Sequence, residues 1–248
     1  MPVRTAVADD GVARVTLARS EARNALNLPM CHALADAFSA LDGDDAVRVV
    51  LLGAEGPVFC AGADMKERVG QDEAWVRARR VAAFRAYDAI ERCRKPVIAL
   101  LGGPVIGSGG EIALCCDFAL ATPAATWRFP EPQWGTVGAT QRLQRAIGKR
   151  RAKEMLYTGR AMPAEEALAA GLVARLVEAG ALEAAGAEVA AAIAKAPPLA
   201  MALTKQSVDL GEEVALTTGI RIELAAIERN LAEGDWRKGL TDFSARCR

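Results

Sequence analysis

Residues 96–117 read "PVIALLGGPVIGSGGEIALCCD". The first eight form a nearly continuous apolar run closed by Pro and Gly, the pattern of a strand buried on both faces. A glycine-rich turn follows, and "EIALCCD" then starts as a helix. Upstream, "VRVVLLGA" (47–54) repeats the strand pattern, and residues 72–94 between the two runs are helical in spacing. Strand, helix and strand in that order predict an α/β sheet. The chain opens with "VARVTL" (12–17) behind an Asp-Asp-Gly turn at 9–11, expected to pair as a hairpin with "RTAVA" (4–8). After Leu28-Pro29, the apolar residues Leu34, Ala37, Phe38 and Leu41 lie on one helical face that ends at Gly43.

A further strand is expected near 118–121. From about residue 138 helical signals dominate, including "PAEEALAAG" and the Ala-rich 181–196, and "LVARLV" (172–177) is the one convincing strand. Pro197-Pro198 interrupts the series before "LAMALTKQSVDLG" resumes it. The expected organisation is an α/β core over residues 1–190 and a helical region over 191–248.

Composition narrows the function. The chain of 248 residues is 52% hydrophobic and 25% charged, and 31 basic residues balance 31 acidic ones. That describes a globular protein with no electrostatic attraction to nucleic acid or to an anionic membrane, so the expected partner is a small molecule. The cysteines at 31, 60, 93, 115, 116 and 247 contain no CxxC pair, and His32 is the single histidine. Reduced thiols and no metal site are expected. The N-terminal "MPVRTAVADDGVARVTL" has no apolar signal core, and no apolar run reaches membrane-spanning length, so a cytoplasmic location is expected.

Chemistry gathers at two glycine-containing turns, "FCAGADMKE" (59–67) and "LGGPVIGSGGEIA" (101–113). Both can present backbone N–H groups without intrahelical partners, and two such groups converging from different loops make an oxyanion hole. The plainer alternative is that the glycines only permit tight turns. A dinucleotide fingerprint fails because Ile112 stands where the third glycine after Gly107 and Gly109 belongs, and Ser108 is not in a nucleophile elbow because Ile106 precedes it by two. The carboxylates Glu111 and Glu131 stand 20 residues apart, near Trp127, Phe129 and Trp134. Two acids in one desolvated pocket divide into a proton donor and a proton acceptor. The alternative places Glu111 exposed in a helix's first turn and Glu131 in a solvated loop.

Taken together, "ARVTLARSEARNALN" (13–27), "FCAGADMKE", "KPVIALLGGPVIGSGGEIALCCD" and "TQRLQRAIGKRRAKEMLYTGRAMPAEEALAAGLV" (140–173) resemble the crotonase, or enoyl-CoA hydratase/isomerase, superfamily, and within it the hydratases. The resemblance implies a spiral of ββα units with a C-terminal helical trimerisation region. It also implies a homotrimer or a dimer of trimers, and an acyl-CoA thioester as ligand, with no separate cofactor and no metal. By the same resemblance the oxyanion-hole amides are those of Ala63 and Ser108, where hydratases usually have glycine, and the acids are Glu111 and the Glu131 of Pro130-Glu131. Arg23, Ala25, Ala61, Asp64 and Lys66 fall in the segments that bind CoA, and Phe243 in the tail is a pocket contact. Trp127 and Trp134 flank the second acid and are expected to wall the acyl pocket, packing being the plainer role for either. Two departures stand out: the loop after "EPQWGTV" is shortened, and Pro132 stiffens the backbone behind Glu131. The implied reaction is hydration of an enoyl-CoA or its reverse. The alternatives are an isomerase or acyl-CoA hydrolase on the same scaffold, or a non-catalytic CoA- or RNA-binding relative.

Overall fold

A computed structural model of the chain describes residues 1–212, 214–234 and 236–246; the side chains of 238, 242, 243, 245 and 246 also lie outside the described set. The elements in order are β1 (Val3–Val7), β2 (Val12–Leu17), α1 (Leu28–Gly43), β3 (Val49–Ala54), α2 (Glu73–Glu91), β4 (Val97–Leu101), β5 (Val105–Ile106), α3 (Ser108–Leu114), β6 (Phe118–Ala121) and β7 (Thr126–Arg128). Then follow α4 (Arg142–Ile147), α5 (Lys149–Thr158), β8 (Met162–Pro163), α6 (Ala164–Ala170), β9 (Arg175–Leu176), α7 (Leu182–Ala194), α8 (Pro198–Glu212), α9 (Leu216–Glu233) and α10 (Trp236–Arg246).

The expected hairpin forms, with Val3 opposite Leu17 and Val7 opposite Ala13. It begins a sheet ordered β1-β2-β3-β4-β6-β9, in which every pair after the first is parallel. Period-two alternation sends Val50, Leu52, Ala99 and Leu101 into the main core and Val49, Leu51, Ile98 and Leu100 into a second core with Leu182 and Ala190. Both faces are therefore dry, which is why these strands read as continuous apolar runs. The division expected at residue 190 falls inside α7, whose residues cover the second face of the sheet. The 172–177 run yields only the short β9.

A smaller sheet, β5-β7-β8, stands beside the first and carries the start of α3. Strands of two or three residues leave little periodicity, and β8 has no signal in the sequence. Among the described residues no single helix is long and apolar enough to cross a membrane. Helix α9 has no buried residue, and its exposed Leu216, Ile220, Leu224, Ile227 and Leu231 recur at helical spacing.

The loop before α1 is held by one buried amide. Asn24, at φ +53°, donates from Nδ2 to the carbonyls of Glu55 and Val58 at 2.8 Å each, and its Oδ1 accepts the Arg19 N–H at 2.8 Å. Truncating it leaves buried backbone groups unpaired, each worth about 1–3 kcal/mol. Asn24→Ala is expected to lower unfolding stability by roughly 2 kcal/mol or more, read from the denaturant midpoint; an unchanged midpoint contradicts this role.

Candidate active site

A cavity of about 880 Å³ opens between the turn after β3, the start of α3, one face of α2 and the segment leading to α4. Two of these walls meet through bare backbone. The Cys60 N–H donates to Pro104 O at 3.3 Å and the Ile106 N–H to Cys60 O at 2.9 Å. A Cβ on Gly109 would stand 2.7 Å from the Cys60 Cβ, and one on Gly110 would stand 2.3 Å from the Phe129 ring. The glycines of "GSGGE" are thus required by close approach as well as by the turn.

Ala63 and Ser108 both line the cavity, and neither amide donates a hydrogen bond among the described residues. Ser108 begins α3, so its N–H has no helical acceptor behind it. Ser108, with the hydroxyl a glycine would lack, and Tyr87 on α2 line the cavity together. Burial pushes the Tyr87 phenol well above its ordinary range, against the pull of the Ser108 hydroxyl, so it stays protonated.

The two carboxyl groups live in different surroundings. Glu111 is buried at 7% exposure, which removes the exposed first-turn alternative. Its Oε1 accepts the Ala139 N–H at 2.6 Å and its Oε2 accepts Arg142 Nη1 at 3.2 Å. Both oxygens act as acceptors, and one partner is a cation that also bonds Glu91 at 3.0 and 2.6 Å. The loop after Val137 delivers that amide through Ala139, a non-glycine residue at φ +54°. Left-handed backbone of this kind costs a residue with a Cβ about 1–2 kcal/mol and is held only where the surroundings impose it.

Glu131 is half-buried, and its Oε2 is shielded from solvent with no hydrogen-bond partner. The carboxyl lies over the bare Cα of Gly107, where a Cβ would come within 2.8 Å of Oε1. Burial is the largest cause that raises the Glu131 pKa above the usual 4.5; its own backbone N–H and Arg80 pull it down and Glu111 pushes it up. Glu131 therefore holds its proton to higher pH than a free glutamate does. An orphaned buried oxygen facing a cavity is a place for a ligand or a water.

Arg23, Ala25, Ala61, Asp64 and Lys66 all line the same cavity, as does Trp134, which is 72% exposed. Arg23 and Lys66 are exposed and carry no side-chain hydrogen bond or ion pair among the described residues. Asp64 pairs with Arg19 at 3.1 Å. Trp127 is a correction: it is wholly buried and packs against Phe129 with ring centroids 6.4 Å apart, away from the cavity. Alternation along β7 turns Trp127 to the core and leaves its neighbour Arg128 on the cavity wall. The side chain of Phe243 lies outside the described residues. His32 is exposed on α1, and burial pushes the Cys60 thiol up to about 12, which leaves it unreactive. Sequence reading missed Tyr87, Ala139, Arg142 and Arg68, all of which belong to this region. Among the described residues no cluster of His, Cys, Asp and Glu has metal-holding geometry.

The chain matches the enoyl-CoA hydratase/isomerase family over residues 8–247. It is 37% identical to YngF of Bacillus subtilis, covering 98% of this chain and 95% of that protein. It is 34% identical to the enoyl-CoA isomerase/hydratase fer4 of Mycosarcoma maydis, covering 94% and 89%. The crystal structure of an enoyl-CoA hydratase from Bacillus anthracis superposes with a TM-score of 0.96 at 34% identity, covering 99% of this chain and 97% of that one. The fold and these matches define a crotonase-type α/β protein. The chain belongs to the enoyl-CoA hydratase/isomerase family.

The raised Glu131 pKa has a consequence for stability. The folded chain binds this proton more tightly than the unfolded chain, so stability falls as pH rises from 4.5 through the raised value, and the loss is complete above it. Glu131→Gln is expected to melt at a higher temperature than the native chain at pH 8, with the gap closing toward pH about 4.5. A gap that does not change with pH contradicts this placement.

Proposed function

We propose that the protein hydrates the α,β double bond of an enoyl-CoA thioester, or catalyses the reverse dehydration. One observation carries the reading. Two carboxyl groups face one cavity in opposite conditions, Glu111 held as an acceptor by a peptide N–H and a guanidinium, Glu131 buried, unpartnered and proton-retaining.

In this mechanism the thioester oxygen accepts the Ala63 and Ser108 N–H groups, which stabilise the negative charge that grows there as the double bond is attacked. A water lies between the two carboxyl groups. Its oxygen adds to Cβ while Glu111 takes one of its protons, and Glu131 gives its own proton to Cα. The product is a 3-hydroxyacyl thioester, and proton transfer from Glu111 to Glu131 through the next water resets the pair. Arg142 and the Ala139 amide keep Glu111 in register.

Arg23 and Lys66, exposed and unpaired at the cavity rim, are proposed to meet the phosphates of CoA, with Ala25, Ala61 and Asp64 shaping the channel between. The reaction so written uses no separate cofactor. The exposed apolar stripe of α9 supports assembly into a homotrimer or a dimer of trimers, as is typical of the family. An isomerase needs one group to remove and return a single proton, whereas two unlike carboxyl groups suit the addition of water. A hydrolase would release free CoA. The balanced charge of the chain supports a cytoplasmic enzyme of acyl-CoA metabolism over a nucleic-acid binder.

Glu111→Gln and Glu131→Gln are each expected to lower kcat for hydration of crotonyl-CoA by about 10²–10⁴-fold, followed as loss of the conjugated double bond with products identified by mass. Near-normal rates in both variants, or a shifted double bond as the product, would contradict the assignment.

A further inference from the structure

The cavity wall formed by α2 and the turn before it carries three guanidinium groups, from Arg68, Arg79 and Arg80. One of them has a carboxylate. Arg79 is 1% exposed and donates from Nε to Glu67 Oε1 at 2.8 Å, with a further bond to Leu26 O. The other oxygen of Glu67 accepts the Leu28 N–H at 2.8 Å, so that acid is fully engaged. Among the described residues Arg80 donates to neutral acceptors, Val137 O at 2.7 Å and the Thr136 hydroxyl.

Arg68 makes no side-chain hydrogen bond and no ion pair among the described residues, and its Nε is buried without a partner. A guanidinium with one nitrogen shielded from water, beside two more cations and near a single carboxylate, Glu67, that Arg79 already engages, gains from an anion that completes it. Burial and the charges of Arg79 and Arg80 together hold its pKa below the ordinary value, which records the same imbalance.

Position says which anion. Arg68 lines the same cavity as Tyr87, Ser108, Glu111 and Glu131, as does Arg80, which grips the loop that follows Glu131. These are neighbours of the reacting end of the cavity, and the unpaired cations suited to CoA phosphates, Arg23 and Lys66, are exposed. An enoyl thioester brings negative charge to the reacting end only if its acyl chain carries it.

We infer that the preferred substrate is a dicarboxylic enoyl thioester, joined to CoA at one end, whose free carboxylate is bound by Arg68 with Arg80 behind it. This inference rests on the thioester reading above and deepens it to a substrate class. A planar guanidinium offers paired donors in the geometry of a carboxylate. A simple alkyl chain would leave the shielded Nε of Arg68 unpaired, so the same residue selects against it.

The test uses binding of saturated, unreactive thioesters, so that it does not depend on turnover. Affinities of the whole protein for glutaryl-CoA and adipyl-CoA are measured by calorimetry against valeryl-CoA and hexanoyl-CoA, matched in carbon number. At least one dicarboxylic thioester is expected to bind about 10- to 100-fold tighter than its match, the worth of a hydrogen-bonded ion pair. Arg68→Met is expected to bring that ratio close to one, and Arg68→Lys to retain part of it; melting curves verify that both variants fold. Equal affinities within each matched pair overturn the inference. So does an Arg68→Met variant that weakens both members equally, which is the signature of a phosphate contact. A dicarboxylic preference without hydration of any enoyl thioester supports the inference and removes the hydratase reading alone.

Discussion

Contact between two turns without side chains is the constraint on which the site depends. Gly109 meets Cys60 and Gly62 meets Ile106 O at distances that leave no room for larger residues. The turn after β3 and the start of α3 are therefore pressed together, and the next amides on each side, at Ala63 and Ser108, are left facing one void. Strands β3 and β4 hold the two turns at this separation because both are buried on both faces and fixed in register by the parallel ladder. Catalytic geometry here follows from backbone packing, and the side chains around it adjust the chemistry.

That adjustment is electrostatic. Glu111 and Glu131 carry the same functional group, yet one is surrounded by donors and the other by bare glycine and a partner-free space. Desolvation raises the proton affinity of Glu131, while a peptide N–H and a guanidinium occupy Glu111 as an acceptor. Left-handed backbone at Ala139, a non-glycine residue, is the cost of aiming its amide at Glu111. Ser108 offers its backbone donor whatever its side chain, because its N–H begins α3 and has no helical acceptor.

Much of this was legible in the sequence for identifiable reasons. Long apolar runs bounded by Gly and Pro located β3 and β4, and the glycines before Glu111 marked the close approach. Pro130-Glu131 could be paired with Glu111 because the resemblance to a family supplied a contact that spacing alone does not. What stayed hidden depends on partners distant in sequence. Tyr87 reads as one more apolar position on α2, and Arg142 as a surface cation on a polar helix. Arg68 reads as one charge among several in "DMKER", and only three-dimensional packing shows that its shielded Nε has no hydrogen-bond partner among the described residues. Trp127 was misplaced because a three-residue strand is too short to reveal which of its faces is the core.

The central claim is that the Ala63 and Ser108 amides and the two carboxyl groups converge on one thioester. A crystal structure with a bound, unreactive acyl-CoA analogue tests it most directly. The account predicts the thioester oxygen about 2.7–3.1 Å from both amide nitrogens, with a water held jointly by Glu111 and Glu131 beside Cβ. A thioester oxygen bound elsewhere in the cavity, or either carboxyl group turned away from the acyl chain, would contradict it.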